Sequence, residues 1–202
     1  MNRKVVIANP RSGAQLDLEM QNIVREFQPE VLSRPMPLDI ERFFEFRLVE
    51  VTGVNSAYRE LPLGVDGYTD SDVMESVVSS ELIDTDDLVT RRRGRSTIAH
   101  ECVHAIVHVP EFRAKKARLR SLHEKKNDNL RFFRQEQVET YMNPEWQAWR
   151  GAKGLLMPIS SVFQAVNKGH RLTELAEIYD VNPAFVKSRV KELGLLEKIK
   201  TF

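Results

Sequence analysis

His100, Glu101 and His104 stand in the order His-Glu-x-x-His inside IAHECVHAIVH, residues 98–108. On a helix the two histidines project from one face a turn apart, near enough for both imidazoles to reach one ion. Zn²⁺ suits this pair: it takes imidazole nitrogen in a tetrahedral shell and keeps a position for water when the site is catalytic. Glu101, directly after the first histidine, is the residue type that takes a proton from such a water as it attacks a carbonyl. His104 and His108 repeat the spacing, but Ala105 follows His104, so that pair lacks a base. A helix with exposed histidines gives the same pattern, and a further ligand would separate the two readings. Glu145 in NPEWQAWRGAKGLLMP, residues 143–158, is the acidic group a later helix offers.

The elements that must position these groups are read from periodicity. Ser96 or Thr97 is expected to cap the histidine helix, with Ile98, Cys102, Ala105, Ile106 and Val109 on its apolar side and Pro110 closing it. Cys102 then points away from the histidines into the core, and His108 makes a structural hydrogen bond. Arg91 to Arg93 and Arg95 fall in a solvated loop before the helix. Upstream, VVIA and a turn at NPRSG lead to a helix near 15–27, ended by Pro29, Pro35 and Pro37. A second helix follows Pro37, with Asp39 near its start and Ile40, Phe43, Phe44 and Leu48 on its apolar face. Strand-like pieces at SAYREL and MESVVSSELI flank the turn LPLGVDG. Pro144 opens a helix that runs to Pro158 and another follows it. The segment LTELAEIYDVNPAFVKSRVKELGL gives two short helices joined at 180–182, with helix-turn-helix spacing.

These readings imply an α+β protein, a small sheet packed on helices. Its expected organisation is an N-terminal arm with one helix (1–36), a core carrying the His-Glu-x-x-His motif (37–168), which the family resemblance given below makes a metallopeptidase core, and a helix-turn-helix-like tail (169–202). The chain of 202 residues is 42% hydrophobic and 29% charged, with a net charge of +1, so no strong overall field draws it to DNA or anionic lipid. A basic run at 113–134 reads as a solvated face. No apolar run approaches the roughly 18 residues of a membrane helix. The opening MNRKVVIANPRSG is too weakly apolar for a secretory signal, and Cys102 is the one cysteine; a cytoplasmic location is expected.

With both motifs in view, the chain resembles the ImmA/IrrE-type metallo-endopeptidases, whose T-I-A-H-E-x-x-H helix is followed by E-x-x-A-(N/D)-x-F-A-x-x-L-L-M-P. Here the two read TIAHECVH and EWQAWRGAKGLLMP, and the likeness spans roughly residues 16 to 195. It implies a zincin-like site in which His100, His104 and Glu145 are zinc ligands and Glu101 is the general base. It also implies a protein substrate, such as a transcriptional repressor of phage or mobile-element genes. Two positions depart from the family: Trp149 stands at the Asn/Asp position and Gly151 at the Phe position. A polar residue at 149 would orient a ligand, and Trp149 instead packs or walls the cleft. For the oxyanion, Tyr141, Arg150 and His170 are candidates. One rival is a DNA-binding regulator using Lys187, Arg189 and Lys191 of the tail, less favoured because the chain is nearly neutral. Another is a non-cleaving protein that holds its partner in a degenerate cleft.

Overall fold

The computed structural model describes residues 4–122, 132–134 and 138–199. Strand β1 (Lys4–Val6) leads to α1 (Gly13–Phe27), whose N-terminus is closed by a reciprocal Ser12–Gln15 capping box. A single turn, α2 (Glu30–Ser33), precedes α3 (Ile40–Arg42), a π-helical turn (Phe43–Arg47) and α4 (Leu48–Thr52). Asp39 caps this run, and Ile40, Phe43, Phe44 and Leu48 are buried on its inner face as their spacing requires.

Strands β2 (Asn55–Arg59), β3 (Gly67–Asp70) and β4 (Glu75–Ser79) form a mixed sheet in the order β2-β4-β3. Strand β2 runs parallel to β4, while β3 pairs antiparallel with Tyr68 opposite Val77. The sequence pattern shows β2 and β4 in SAYREL and MESVVSSELI but not β3, which emerges from the LPLGVDG turn. Four residues with one aromatic and one β-branched side chain are too few to show a period of two.

Helix α5 (Leu88–Val103), a π-helical turn (His104–His108) and α6 (Val109–Leu122) follow as one rod. The helix differs from its expected form at both ends. The cap is Asp87, whose carboxylate accepts from Thr90 N at 2.8 Å, and Ser96 lies inside the helix with its hydroxyl bonded back to Arg92 O. Pro110 does not end the helix. The preceding turn is widened, with Val109 N–H bonded to His104 O, and Pro110 stands in the first turn of α6, where its missing N–H is tolerated.

The arginines expected in a loop are therefore helical and paired. Arg95 is 7% exposed and bonds Glu41, Leu38 O and Asp180 O, while Arg92 bonds Asp180 and Arg93 bonds Asp66. They tie α5 to α3, to the loop before β3 and to the tail. In the basic run, Arg113 bonds Ser71 O and Lys116 bonds Asp72; residues 123–131 lie outside the described residues.

A short strand β5 (Phe132–Arg134) pairs antiparallel with β1. Helices α7 (Pro144–Leu156), α8 (Ile159–Asn167), α9 (Leu172–Ile178) and α10 (Pro183–Glu192) complete the chain. Helix α7 lies against both α1 and α5. One contiguous core joins Met20 of α1, Ile98 and Cys102 of α5, Leu155 of α7, Tyr179 after α9 and Val190 of α10. Among the described residues, no helix is long and apolar enough to cross a membrane.

Glu111 of α6 anchors the N-terminal arm, accepting from Asn9 N, from Arg11 Nη1 at 2.8 Å and from Lys115 Nζ at 2.6 Å. Burial alone would raise its pKa, but these three donors outweigh it and hold the carboxylate below its ordinary value. A folded pKa below the unfolded one stabilises the fold above the unfolded value and ceases to as pH falls through the folded value. Denaturation midpoints measured between pH 7 and pH 3 should therefore fall less steeply in Glu111→Gln than in the parent, from a lower starting stability.

Candidate metal centre

The His-Glu-x-x-His residues end α5 and enter the π-helical turn, and their geometry follows from helical spacing. His100 Nε2 and His104 Nε2 lie 3.0 Å apart. Helix α7 delivers Glu145 opposite them. Asn143 caps this helix, its Oδ1 accepting from Glu145 N at 2.9 Å and Trp146 N at 3.3 Å, so Glu145 sits in the first turn with Pro144 before it. Its carboxylate oxygens are 3.5 Å from His100 Nε2 and 3.6 Å from His104 Nε2. One donor atom from each of the three residues lies within 4.8 Å of the others, a group that could hold a metal ion. Two imidazoles and one carboxylate form a donor set that suits Zn²⁺ with an open position.

The approach of α7 to α5 depends on Gly151. A Cβ there would lie 2.8 Å from Val103 Cγ1 and 2.9 Å from Cγ2, so the Phe of the resembling family has no room in this chain.

Glu101 is buried beside the same cleft, and Thr69 Oγ1 donates to its Oε2 at 2.7 Å. Thr69 Oγ1 is also 3.0 Å from Ser76 Oγ, so strand β3 presents a fixed hydroxyl to the carboxylate. Gly67 lets β3 lie close: a Cβ there would meet Val77 O at 2.9 Å and Glu101 Cγ at 3.1 Å. Sequence reasoning missed Thr69 and Gly67 because it missed β3, whose signal is the pair Tyr68–Thr69 after a glycine turn.

The cleft has a volume of about 380 Å³, walled by the segment from Gly64 to Thr69 on one side and Trp149 on the other. Trp149 is 42% exposed and its ring lies on His100 with centroids 4.2 Å apart, so it walls the cleft. His100 Nδ1 is buried and has no hydrogen-bond partner among the described residues.

The three oxyanion candidates do not line this cleft. Arg150 is buried against Asp17, His170 lies 3.6 Å from Glu174 in the tail, and Tyr141 is exposed near the N-terminal arm. Tyr68, on the β3 wall, is the phenol that does line it. Arg189, read as a phosphate contact, is fully buried with Nη2 2.7 Å from Asp17 Oδ1 and Nε donating to Met157 O at 3.0 Å. The first of these contacts is near enough to attract but is not aligned as a hydrogen bond.

Cys102 is buried in the core, and burial pushes its thiol pKa well up. His108, 1% exposed, has Nδ1 3.0 Å from His104 Nδ1 and Nε2 3.0 Å from Gln147 Oε1. Burial pushes its pKa down to about 4, which keeps the ring neutral.

No family model and no curated protein matches the chain. Among solved structures it is similar to a Mycobacterium tuberculosis transcriptional regulator, with a TM-score of 0.57 at 12% identity. The match covers 88% of this chain and 46% of that one, so this chain spans less than half of the other's length. The likeness is one of fold alone.

Gly151→Ala should cost about 1–3 kcal/mol in chemical denaturation, because stiff Val103 cannot yield, and Val103→Ala in the same chain should recover part of that loss. For the metal, Trp149→Asn gives His100 a polar neighbour. If the centre takes zinc, competition with a chelator should show the ion bound about 10-fold more tightly in this variant, in a protein whose circular dichroism is unchanged.

Proposed function

We propose that this chain is a zinc-dependent endopeptidase of the ImmA/IrrE type, acting on a protein substrate. What carries the reading is the convergence on one cleft of His100, His104 and Glu145 with a separately anchored carboxylate, Glu101. A packing helix rich in histidine has no need of this fourth group.

His100, His104 and Glu145 would hold Zn²⁺, which when bound acidifies water and polarises a carbonyl. Thr69 directs the Glu101 carboxylate, and Glu101 accepts the proton of the attacking water and passes it to the leaving amine. Val65, Tyr68 and Trp149 give the cleft apolar walls against which substrate side chains pack. Tyr68 takes the place of the earlier oxyanion candidates, because it is the phenol facing the cleft. The expected substrate is a regulatory protein such as a transcriptional repressor.

A DNA-binding role for α9 and α10 is the second reading, favoured by the similarity to a solved transcriptional regulator and by the exposure of Lys187 and Lys191. Arg189 counts against it, since its guanidinium is committed to Asp17 inside the protein.

Purified protein should carry close to one zinc per chain by elemental analysis, and His100→Ala, His104→Ala or Glu145→Ala should each remove it. Glu101→Gln should keep the metal and abolish cleavage of a co-encoded repressor, because an amide cannot accept the proton. Full zinc retention in Glu145→Ala, or a Glu101→Gln protein that still cleaves, overturns the assignment.

A further inference from the structure

Behind His104, on the side away from the cleft, a line of hydrogen bonds runs through the protein to the N-terminal arm. Its far end has a fixed polarity. Gln147 Nε2 lies 2.8 Å from Asn9 O and 2.7 Å from Tyr141 O, two acceptors that can only be met by the amide NH₂. Gln147 Oε1 is therefore the acceptor facing His108, and Arg11 Nη1, a donor, approaches the same oxygen at 3.3 Å. His108 Nε2, 3.0 Å from that oxygen, carries the hydrogen. In the neutral ring this leaves His108 Nδ1 as a bare acceptor.

His104 Nδ1, 3.0 Å from that acceptor, must then be the donor. One proton on a neutral imidazole leaves the other nitrogen bare, and the other nitrogen of His104 is the Nε2 that faces His100 and Glu145. We infer that His108 and Gln147 are positioning residues that lock His104 in its Nδ1–H tautomer, with an unprotonated Nε2 turned toward the candidate metal site. The backbone carbonyls of Asn9 and Tyr141 set the direction of the whole line. The N-terminal arm thereby determines which nitrogen of His104 carries the proton.

Helix α7 supplies both Glu145 and Gln147, so one helix brings a ligand and the group that orients another. His100 has no equivalent support: among the described residues its Nδ1 meets no hydrogen-bond partner, and Trp149 covers its ring. The two histidines are thus held by different physics, one by a polar line and the other by ring packing.

The inference rests on the metal reading for its consequence, not for the tautomer itself, which is measurable without metal. Long-range ¹H–¹⁵N correlation spectra of the zinc-free protein should show His104 protonated at Nδ1 and His108 at Nε2. In His108→Leu the His104 ring should move toward the Nε2–H form, and zinc affinity measured by chelator competition should fall about 10- to 100-fold. His108→Asn, whose amide oxygen can accept from His104 Nδ1, should recover most of that affinity, a rescue that filling space alone would not give. A parent spectrum with His104 protonated at Nε2 overturns the inference with no variant needed, as does an unchanged His104 tautomer in a folded His108→Leu protein. Should the tautomer be as stated while the parent binds no zinc, the inference stands and the metalloenzyme reading falls.

Discussion

The close approach of α5 and α7 is the constraint on which the rest depends. The candidate ligands come from these two helices, His100 and His104 from one and Glu145 from the other, and they meet because Gly151 offers Val103 no side chain. Each added atom at that contact would separate the axes where a few tenths of an ångström decide whether a carboxylate and two imidazoles can share an ion. The same contact buries Ala148 and Ala152 of α7, small residues that allow a dense helix interface.

Helix α7 is held on its other flank by charge. Asp17 of α1, Arg150 of α7 and Arg189 of α10 form a buried cluster, extended by Glu192 and Lys153. Burying such groups costs desolvation that their attraction repays only in part, so the cluster is a weak source of net stability. Removing one member would strand the others, a loss of about 3–5 kcal/mol for a buried pair. The tail helices are therefore part of the support of α7, and one of the charges that suggested a nucleic-acid surface, Arg189, is spent inside the protein. Of the three basic residues named on α10, Lys187 and Lys191 face solvent and Arg189 does not.

Around the cleft, the supporting groups come from distant parts of the chain. Strand β3 supplies Thr69 to Glu101, and the N-terminal arm reaches His104 through Gln147 and His108. Glu111 fastens that arm to α6, with Lys115 also donating to Ile7 O at 2.8 Å. A rigid surround of this kind is what a site needs if its donors are to be held in place before an ion or substrate arrives. Trp149 is the departure, an exposed aromatic ring where the resembling family places a polar group.

Much of the geometry of the candidate site was legible in the sequence because it is local. The i, i+4 spacing of His100 and His104 puts both on one helix face whatever surrounds them, and Pro144 announces the start of the helix that carries Glu145. The inner faces of α1, α3, α4, α9 and α10 were readable for the same reason: helical periodicity is written in consecutive residues. The tertiary structure decided what periodicity cannot carry. It extended α5 back to Asp87, because arginines that look solvated in sequence find Glu41, Asp66 and Asp180 from other elements. It took Arg150 and Arg189 out of solvent by setting both around Asp17, and it formed β3 by pairing with β4. It also gave His108 its meaning, since the partner that fixes its proton, Gln147, lies 39 residues away on another helix. A sequence states which groups are present and which neighbours along the chain share a face; partners that meet across space, and hence which charges are buried and which nitrogen holds a proton, exist only once the helices have packed.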